Sequence, residues 1–438
     1  MKFIIAKHGH LNSTLFLTIK NQLLTGGNMS RNKEFTEKVD VIVCGHISVD
    51  IIPRFLSAMP SNSHLTPGTL VEVGEAEYCT GGAVSNTGIA LHQLGTNARL
   101  IGKVSDDFFG SLTLNLLKDI DASLADNITQ VAGETSSYTI VINPPGIDRI
   151  FLHCPGTNDT FSEHDIDWDQ VSGARHFHFG YPPLMKSMYA DGGDQLSSIL
   201  RTAKAKGMIV SLDMAMPGKG ADALSADWIG ILNKCLPYVD VFMPSLEEML
   251  MMINRDQYEK YLQLGGDLCE VVPEETIQEL AEGLLQMGCG MVILKLGASG
   301  LYLRSSQKLL LHFTSQLGQD IREQWRNREL WAPCFRTNVI GTTGAGDCTI
   351  AGFIQGLLLQ LGPIATMIGS VAVGAYSVEH LGATGGIQPW ETIQNRISSG
   401  WERLPIGRPL KGWYWREQEG IWEGPADKQT NKQTTNNQ

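Results

Sequence analysis

No C-x-x-C pair and no metal-type spacing occur among the eight cysteines of this 438-residue chain, Cys44, Cys79, Cys154, Cys235, Cys269, Cys289, Cys334 and Cys348. Scattered thiols argue against a disulfide framework or a zinc module and fit a reducing compartment, so a cytoplasmic protein is expected. Long Lys/Arg blocks are also lacking, and the net charge is -12 with a pI near 5.4. That balance disfavours wrapping of nucleic acid and docking on an anionic membrane, and points to small-molecule work. Residues 1–28 carry Lys2, Lys7, His8, His10 and Lys20 among short apolar pieces, with no continuous apolar segment of the kind secretion requires. Residues 1–38 read as a loose leader, with Met29 an alternative start.

Charge is absent from Cys348 to Val378. Leu361-Gly362-Pro363 divides that stretch into two helices, each too short to span a bilayer, so two buried helices of a large core are expected. Three common catalytic signatures are missing as well. The Gly-Lys pairs at 102 and 218 precede Val104 and Gly220, which leaves no G-x-x-x-x-G-K-[ST], and neither G-x-S-x-G nor H-E-x-x-H appears.

What is present is a recurring β-branched, apolar strand pattern with helical patterns between. Strands are predicted at Val39–Cys44, Ala98–Ile101, His176–Phe179, Met208–Leu212, Val239–Met243 and Met291–Leu296. Helices are predicted at Ala83–Leu94, Gly110–Leu117, Gln195–Lys206, Leu246–Ile253, Glu274–Met287 and Ala345–Leu361. Alternation of this kind specifies an α/β class, doubly wound, with a mostly parallel sheet and helices on both faces. Residues 65–79 and 136–154 place β-type residues between Pro/Gly turns and read as the arms of a small β-lid. Segments 254–272 and 305–338 read as insertions on a body that spans 39–403. Residues 404–438 form a tail whose polar end, 425–438, is expected to be disordered.

The chemistry is concentrated at helix starts. Gly341-Thr342-Thr343-Gly344-Ala345-Gly346-Asp347 follows the strand-like Asn338–Ile340 and leads into an apolar helix. Small residues there let backbone N–H groups converge on an anion, and the helix dipole favours phosphate oxygens. Asp347 would then stand beside that anion, placed to take a proton from a hydroxyl, although a Gly-rich turn with Asp347 capping the helix explains the same residues. Gly81-Gly82-Ala83-Val84-Ser85-Asn86 opens another helix: two glycines admit a close ligand, and Asn86 offers a donor and an acceptor one turn later. Asp50 follows the first strand at the carboxyl edge, where open α/β sheets bind ligands, and it could accept from two sugar hydroxyls. For each residue alone, a cap or turn serves equally well.

Together, in this order, Asp50, Gly81-Gly82 with Asn86, Pro244-Ser245-Leu246-Glu247-Glu248, Lys295-Leu296-Gly297-Ala298-Ser299-Gly300 and Gly344-Ala345-Gly346-Asp347 resemble the ribokinase-like, or PfkB-type, carbohydrate kinases over residues 39–400. The resemblance implies ATP-dependent phosphoryl transfer to a hydroxymethyl group of a sugar-like compound. It further implies that Asp50, Gly81, Gly82 and Asn86 hold the sugar, that Gly344, Ala345 and Gly346 form an anion hole, and that Asp347 is the base. Lys295, Gly297, Gly300, Thr342 and Ser245 would lie along the nucleotide, and Glu248 would place magnesium through water. A homodimer joined through the lids is implied by analogy.

Two positions depart from the family pattern. Its Asp at the head of the last motif, part of a monovalent-cation site in potassium-activated relatives, is Gly341, so potassium activation is not implied. The usual Asn of N-x-x-E is Ser245. In the region where family members contact substrate stand Asn158 and Arg149; Arg149 could meet a carboxylate or phosphate, or be a solvated hairpin arginine. His178 and Tyr181 are candidates to line the pocket, with a satisfied core histidine the alternative for the first, and Asp213 is structural or close to the nucleotide. Trp325, Trp331 and Phe335 would cover the adenine or pack an insertion onto the body. A nucleoside kinase, to which Tyr78, Tyr138 and Phe151 lend modest support, and a non-catalytic sugar-binding regulator are the rival readings.

Overall fold

A computed structural model describes residues 38–56, 68, 70–144, 149–307 and 316–427; the leader, the far end of the tail and part of each lid arm lie outside them. The chain runs through β1 (Val41–Gly45), β2 (Ser48–Phe55), β3 (Val73–Gly81), α1 (Ala83–Gln93), β4 (Ala98–Ile101), β5 (Lys103–Ser105), α2 (Phe108–Ile120), β6 (Thr129–Val131), β7 (Tyr138–Ile142) and β8 (Ile150–Cys154). It continues as β9 (His176–Gly180), α3 (Lys186–Tyr189), α4 (Asp194–Ala205), β10 (Ile209–Leu212), α5 (Trp228–Cys235), β11 (Val241–Phe242), α6 (Leu246–Ile253), α7 (Arg255–Leu264), α8 (Leu268–Val271), α9 (Glu274–Gln286) and β12 (Met291–Lys295). The last third holds β13 (Leu301–Ser305), α10 (Gln319–Trp325), β14 (Glu329–Ala332), α11 (Ala345–Leu358), α12 (Pro363–Ser377), α13 (Trp390–Ser398), β15 (Tyr414–Arg416) and β16 (Ile421–Glu423).

Ten strands form the main sheet in the order β15-β16-β14-β13-β12-β11-β10-β9-β1-β4. From β4 to β12 neighbours are parallel, with Val41 opposite Ala98 on one side and His176 on the other; from β13 onward they are antiparallel. The period-two alternation of the strands feeds two cores. Val41, Val43, Leu100, Ile209 and Ile293 face α1, α2, α11, α12 and α13, while Ile42, Cys44, Phe177, Phe179, Val210 and Leu294 face α4, α5, α6 and α9. Both faces are covered, as the near-continuous apolar strands require. The charge-free stretch is the pair α11 and α12, broken at Gly362-Pro363. Among the described residues no helix is long and apolar enough to cross a membrane.

A second sheet, ordered β3-β2-β7-β8, is the lid. Its strand β2 was not foreseen, because Pro53 sits inside it; Pro53 opposes Ala76 just before a register shift at Phe55, where a missing N–H is tolerated. Asp50 therefore lies within a lid strand, opposite Cys79 and Thr139, and not in a loop after β1. Asn338–Ile340 are not a strand: the Ile340 and Gly341 amides donate to the Val378 carbonyl at the end of α12. Segment 254–272 carries α7 and α8, and segment 305–338 carries α10 and β14, with Trp325, Trp331 and Phe335 buried in the two cores.

The reading of everything beyond residue 403 as a tail is corrected by the C-terminal hairpin. Strand β16 pairs with β14, and Trp415 lies 5.1 Å from Trp422 across the hairpin. A buried ionic cluster fastens it: Arg328 reaches Glu423 at 3.1 Å and Asp427 at 2.7 Å, and the Glu329 amide donates to Asp427 at 2.9 Å. Glu423 and Asp427 are fully buried. Removing one partner of such a cluster strands an opposite charge out of water, at a cost of about 3–5 kcal/mol. Arg328→Met is therefore expected to lower the unfolding free energy by that amount in urea titrations; a loss under ~0.5 kcal/mol would show that the hairpin is not anchored by this cluster.

Candidate active site

Helix α11 starts at Gly344, whose φ of +71° is open to glycine and whose missing side chain makes room for Ala383. The first helical hydrogen bond runs from the Cys348 amide to the Gly344 carbonyl at 2.9 Å, so the amides of Gly346 and Asp347 precede it and have no helical acceptor. Asp347, in that first turn, is only 1% exposed. Its Oδ2 accepts from Asn86 Nδ2 at 3.0 Å, and the Tyr181 hydroxyl donates to Oδ1 at 2.9 Å and Oδ2 at 2.8 Å. Burial raises the Asp347 pKa, against the pull of Asn86, Lys295 and Tyr181.

Asn86 is aimed at Asp347 by the start of α1. Gly82 has φ +86°, and a Cβ on it would run into His46; a Cβ on Gly81 would run into the Asp50 carboxyl. Both glycines are therefore demanded by close approach, and they let the lid strand β2 touch the first turn of α1. Asp50 is half-buried and receives a bond from Ser48 Oγ at 3.4 Å. Burial pushes its carboxyl up to about 6, although Thr139 and Ser48 draw it down.

Lys295, at the end of β12, forms the cationic side of the site. Its Nζ lies 2.5 Å from Asp213 Oδ1 and 3.7 Å from where a Cβ on Gly346 would stand, so the ammonium abuts the Gly344–Gly346 loop. Burial opposes its charge, but Asp213, Glu248 and Asp347 outweigh that and raise its pKa. Burial pushes Asp213 up to about 8 despite Lys295, with Glu248 and Asp347 adding to the rise. Ser245 and Glu248 form a capping box on α6: Ser245 N–H donates to Glu248 Oε2 at 2.7 Å, and Glu248 N–H to Ser245 Oγ at 3.2 Å. Gly297 and Gly300 bound the turn between β12 and β13, immediately after Lys295.

From the lid, Arg149 at the head of β8 reaches the loop hydroxyls of Thr343 and, at 2.8 Å, Thr342. It is half-buried and reaches the loop, though its bond to Thr342 lies at the surface. Gly341, before that loop, packs against the carbonyls of His380 and Leu381. Asn158 is fully buried and bonds both the amide and the carbonyl of Ile47 at 3.1 and 2.9 Å, so its side chain fixes backbone and does not face a ligand. His178 is likewise a core residue, bonded to Ser211 Oγ at 2.9 Å. Three features escaped the sequence reading. These are the bond from Tyr181 to Asp347, the pairing of Asp213 with Lys295, and the contact of His46 Nε2 with His153 Nε2 at 3.3 Å where lid meets body. Only the Tyr-Pro-Pro after a strand hinted at the first.

The buried pair makes a pH-dependent stability test. Asp213 has a folded pKa above its unfolded one, so its contribution is present at low pH and lost as pH rises. Native protein stops losing it above about 8, where the carboxyl ionises beside the ammonium. In Lys295→Met ionisation is postponed, so the stability deficit relative to native is expected to widen by about 1.4 kcal/mol per pH unit above that point. Urea titrations at successive alkaline pH values measure it, and a deficit that narrows with pH would refute the assignment.

The sequence profile described as pfkB family carbohydrate kinase matches residues 40–390. An uncharacterized sugar kinase of Archaeoglobus fulgidus is 26% identical over 272 residues, covering 62% of this chain and 86% of that protein. A 2-dehydro-3-deoxygluconokinase of Bacillus subtilis is 24% identical over 338 residues, covering 76% and 90%. Among solved structures, Arabidopsis thaliana ribokinase complexed with ribose and ATP superposes with a TM-score of 0.60 at 16% identity, covering 82% of this chain and 98% of that one. Xylella fastidiosa fructokinase with bound ATP gives 0.58 at 19% identity, covering 82% and 98%. With the ribokinase fold and the family profile spanning most of its length, the chain belongs to the pfkB family of carbohydrate kinases.

Proposed function

We propose that this kinase transfers the γ-phosphoryl group of ATP to a hydroxymethyl group of a sugar or sugar-like small molecule, with Asp347 as general base and Gly344, Ala345 and Gly346 as the anion hole. The observation that carries the reading is the buried Asp347 carboxylate in the first turn of α11, oriented by Asn86 and Tyr181, with Lys295 beside Gly346. Asp50, Gly81, Gly82 and Asn86 would receive the sugar, with Arg149 above them. Lys295, Gly297, Gly300, Thr342 and Ser245 would line the nucleotide. As the acceptor oxygen bonds to phosphorus and the bond from phosphorus to the β–γ bridging oxygen breaks, the hydroxyl proton passes to Asp347 and ADP leaves. The transition state is loose and highly charged, so orientation and electrostatics supply most of the rate.

The donor set fits magnesium. Asp213, Glu248 and Asp347 bring three carboxyl groups to one ammonium, and Glu248 commits one oxygen to the Ser245 amide while the other remains for a metal-bound water. Magnesium there would offset phosphate charge. Arg149 favours an acceptor with a carboxylate or phosphate, because a guanidinium presents paired donors to such groups. A nucleoside acceptor fits less well: Tyr138 stacks on Phe109 at 4.7 Å, and Phe151 is 53% exposed on the outer lid strand. The eight cysteines, all free thiols, suit the reducing cytoplasm.

ADP release from magnesium-ATP across pentoses, hexoses, keto-deoxy acids and nucleosides tests the reading. Activity on one acceptor should fall about a hundredfold to ten-thousandfold in Asp347→Ala, with ATP still bound; undiminished turnover in that variant would defeat it. A second outcome concerns pH. Asp50 must be ionised to accept from two hydroxyls, so kcat/KM for the acceptor should decline as pH drops through about 6, while Asp50→Asn should show a raised acceptor KM and no such decline in affinity.

A further inference from the structure

Among the non-glycine residues of the site, Tyr181 alone has a positive φ. It follows β9 with φ +66° and ψ +42°, left-handed for a residue with a bulky side chain, and Pro182 comes immediately after it. Left-handed backbone is uncommon outside glycine and asparagine, and a following proline restricts the preceding residue further, so surrounding structure must hold this conformation. The contact that the conformation secures is the hydrogen bond from the hydroxyl, shared between both oxygens of Asp347. An outlier of this kind at a reacting group is a reason to look for function.

Lone-pair accounting shows what the contact does. A carboxylate offers about four acceptor positions. Asn86 takes one on Oδ2, and the single Tyr181 proton is shared between Oδ2 and Oδ1. Oδ1 is therefore the less committed oxygen, and the two donors fix both the plane of the carboxylate and the oxygen that faces an acceptor.

We infer that Tyr181 is a positioning residue for phosphoryl transfer, holding Asp347 so that Oδ1, its less committed oxygen, is presented to the acceptor hydroxyl. The inference rests on the reading of Asp347 as the base. Groups that face Asp347 from the packed elements are Asn86 on α1, Tyr181 after β9, Asp213 after β10, Glu248 on α6 and Lys295 on β12. Of these, Asn86 and Tyr181 donate to its oxygens.

The test uses the full chain and the acceptor found active, with kcat and KM followed against pH in the native protein, Tyr181→Phe, Asp347→Asn and the double variant. In Tyr181→Phe, kcat should fall roughly ten- to hundredfold, the scale of a hydrogen bond to a charged group. Its acid limb should move up in pH, since the ionised carboxylate loses a donor, and the KM for ATP should hold. In the Asp347→Asn background the tyrosine change should add nothing further, because it acts through that carboxylate. Native turnover in Asp347→Asn would overturn the base assignment itself. A slow Asp347→Asn with native kcat and acid limb in Tyr181→Phe, or with losses that simply multiply in the double variant, would overturn the positioning role and leave the base intact. Should Tyr181→Phe fold poorly, Tyr181→Asn, which tolerates the left-handed backbone but cannot reach Asp347, must show the same kcat loss and shifted limb, and native values there refute the inference.

Discussion

One hydrogen bond, from Asn86 to Asp347, spans 261 positions of sequence and sets where everything else in the site must stand. It requires the first turns of α1 and α11 to meet at the carboxyl edge of the parallel sheet, with both helices packed on the same face. A second tie near their other ends, from Thr96 to Gln355, keeps the two helices running alongside one another. Gly82 is forced by this arrangement, since α1 must begin against the backbone of His46. A lid strand then comes within reach of Gly81, and Asp50 arrives beside the site as a consequence of pairing in a different sheet.

The second constraint is electrostatic. Asp213, Glu248 and Asp347 act on one another and on Lys295, and burial makes Asp213 and Asp347 costly to ionise. A fold selected for stability alone would replace such a pair by apolar residues. Its retention beside a loop of small residues makes sense where phosphate charge comes and goes, because a desolvated ammonium acts far more strongly on an anion than an exposed one. The same interior houses His176, pushed down to about 3 chiefly by burial, and His178, also held neutral. Those imidazoles share Ser211 as a hydrogen-bond partner and lie beneath the site as uncharged packing.

Much of this was legible in the sequence where pattern and local chemistry agree. Strand Ala98–Ile101 and helix Leu246–Ile253 fall where the apolar periodicity places them, and the break at Gly362-Pro363 follows from proline chemistry. The glycine-rich helix starts were visible because close approach leaves glycine as the economical residue. What was hidden depends on distant partners. Strand β2 is disguised by Pro53, tolerable only near a register shift. The C-terminal hairpin, with Tyr414, Trp415, Trp422 and Glu423, looks like a polar tail until β14 supplies an edge and Arg328 a buried counter-charge. Asn158 carries a side chain suited to a sugar, and only the position of Ile47 shows that its amide is already spent.

The lid ties these levels together. Arg149 bridges from β8 to Thr342 and Thr343, and His153 of the same strand meets His46 next to Gly82, so one lid strand touches both helix starts on which the chemistry is built. Burial lowers the pKa of both histidines, and repulsion from His153 lowers that of His46 further, so the junction favours its uncharged form. A neutral joint of this kind lets the lid approach Asp347 without adding charge to a site already crowded with it. The lid thus brings Asp50 against Gly81 and Arg149 against Thr342 and Thr343. On the proposed reading the choice of acceptor would rest on lid residues, while the Gly344–Gly346 loop and Asp347 belong to the start of α11.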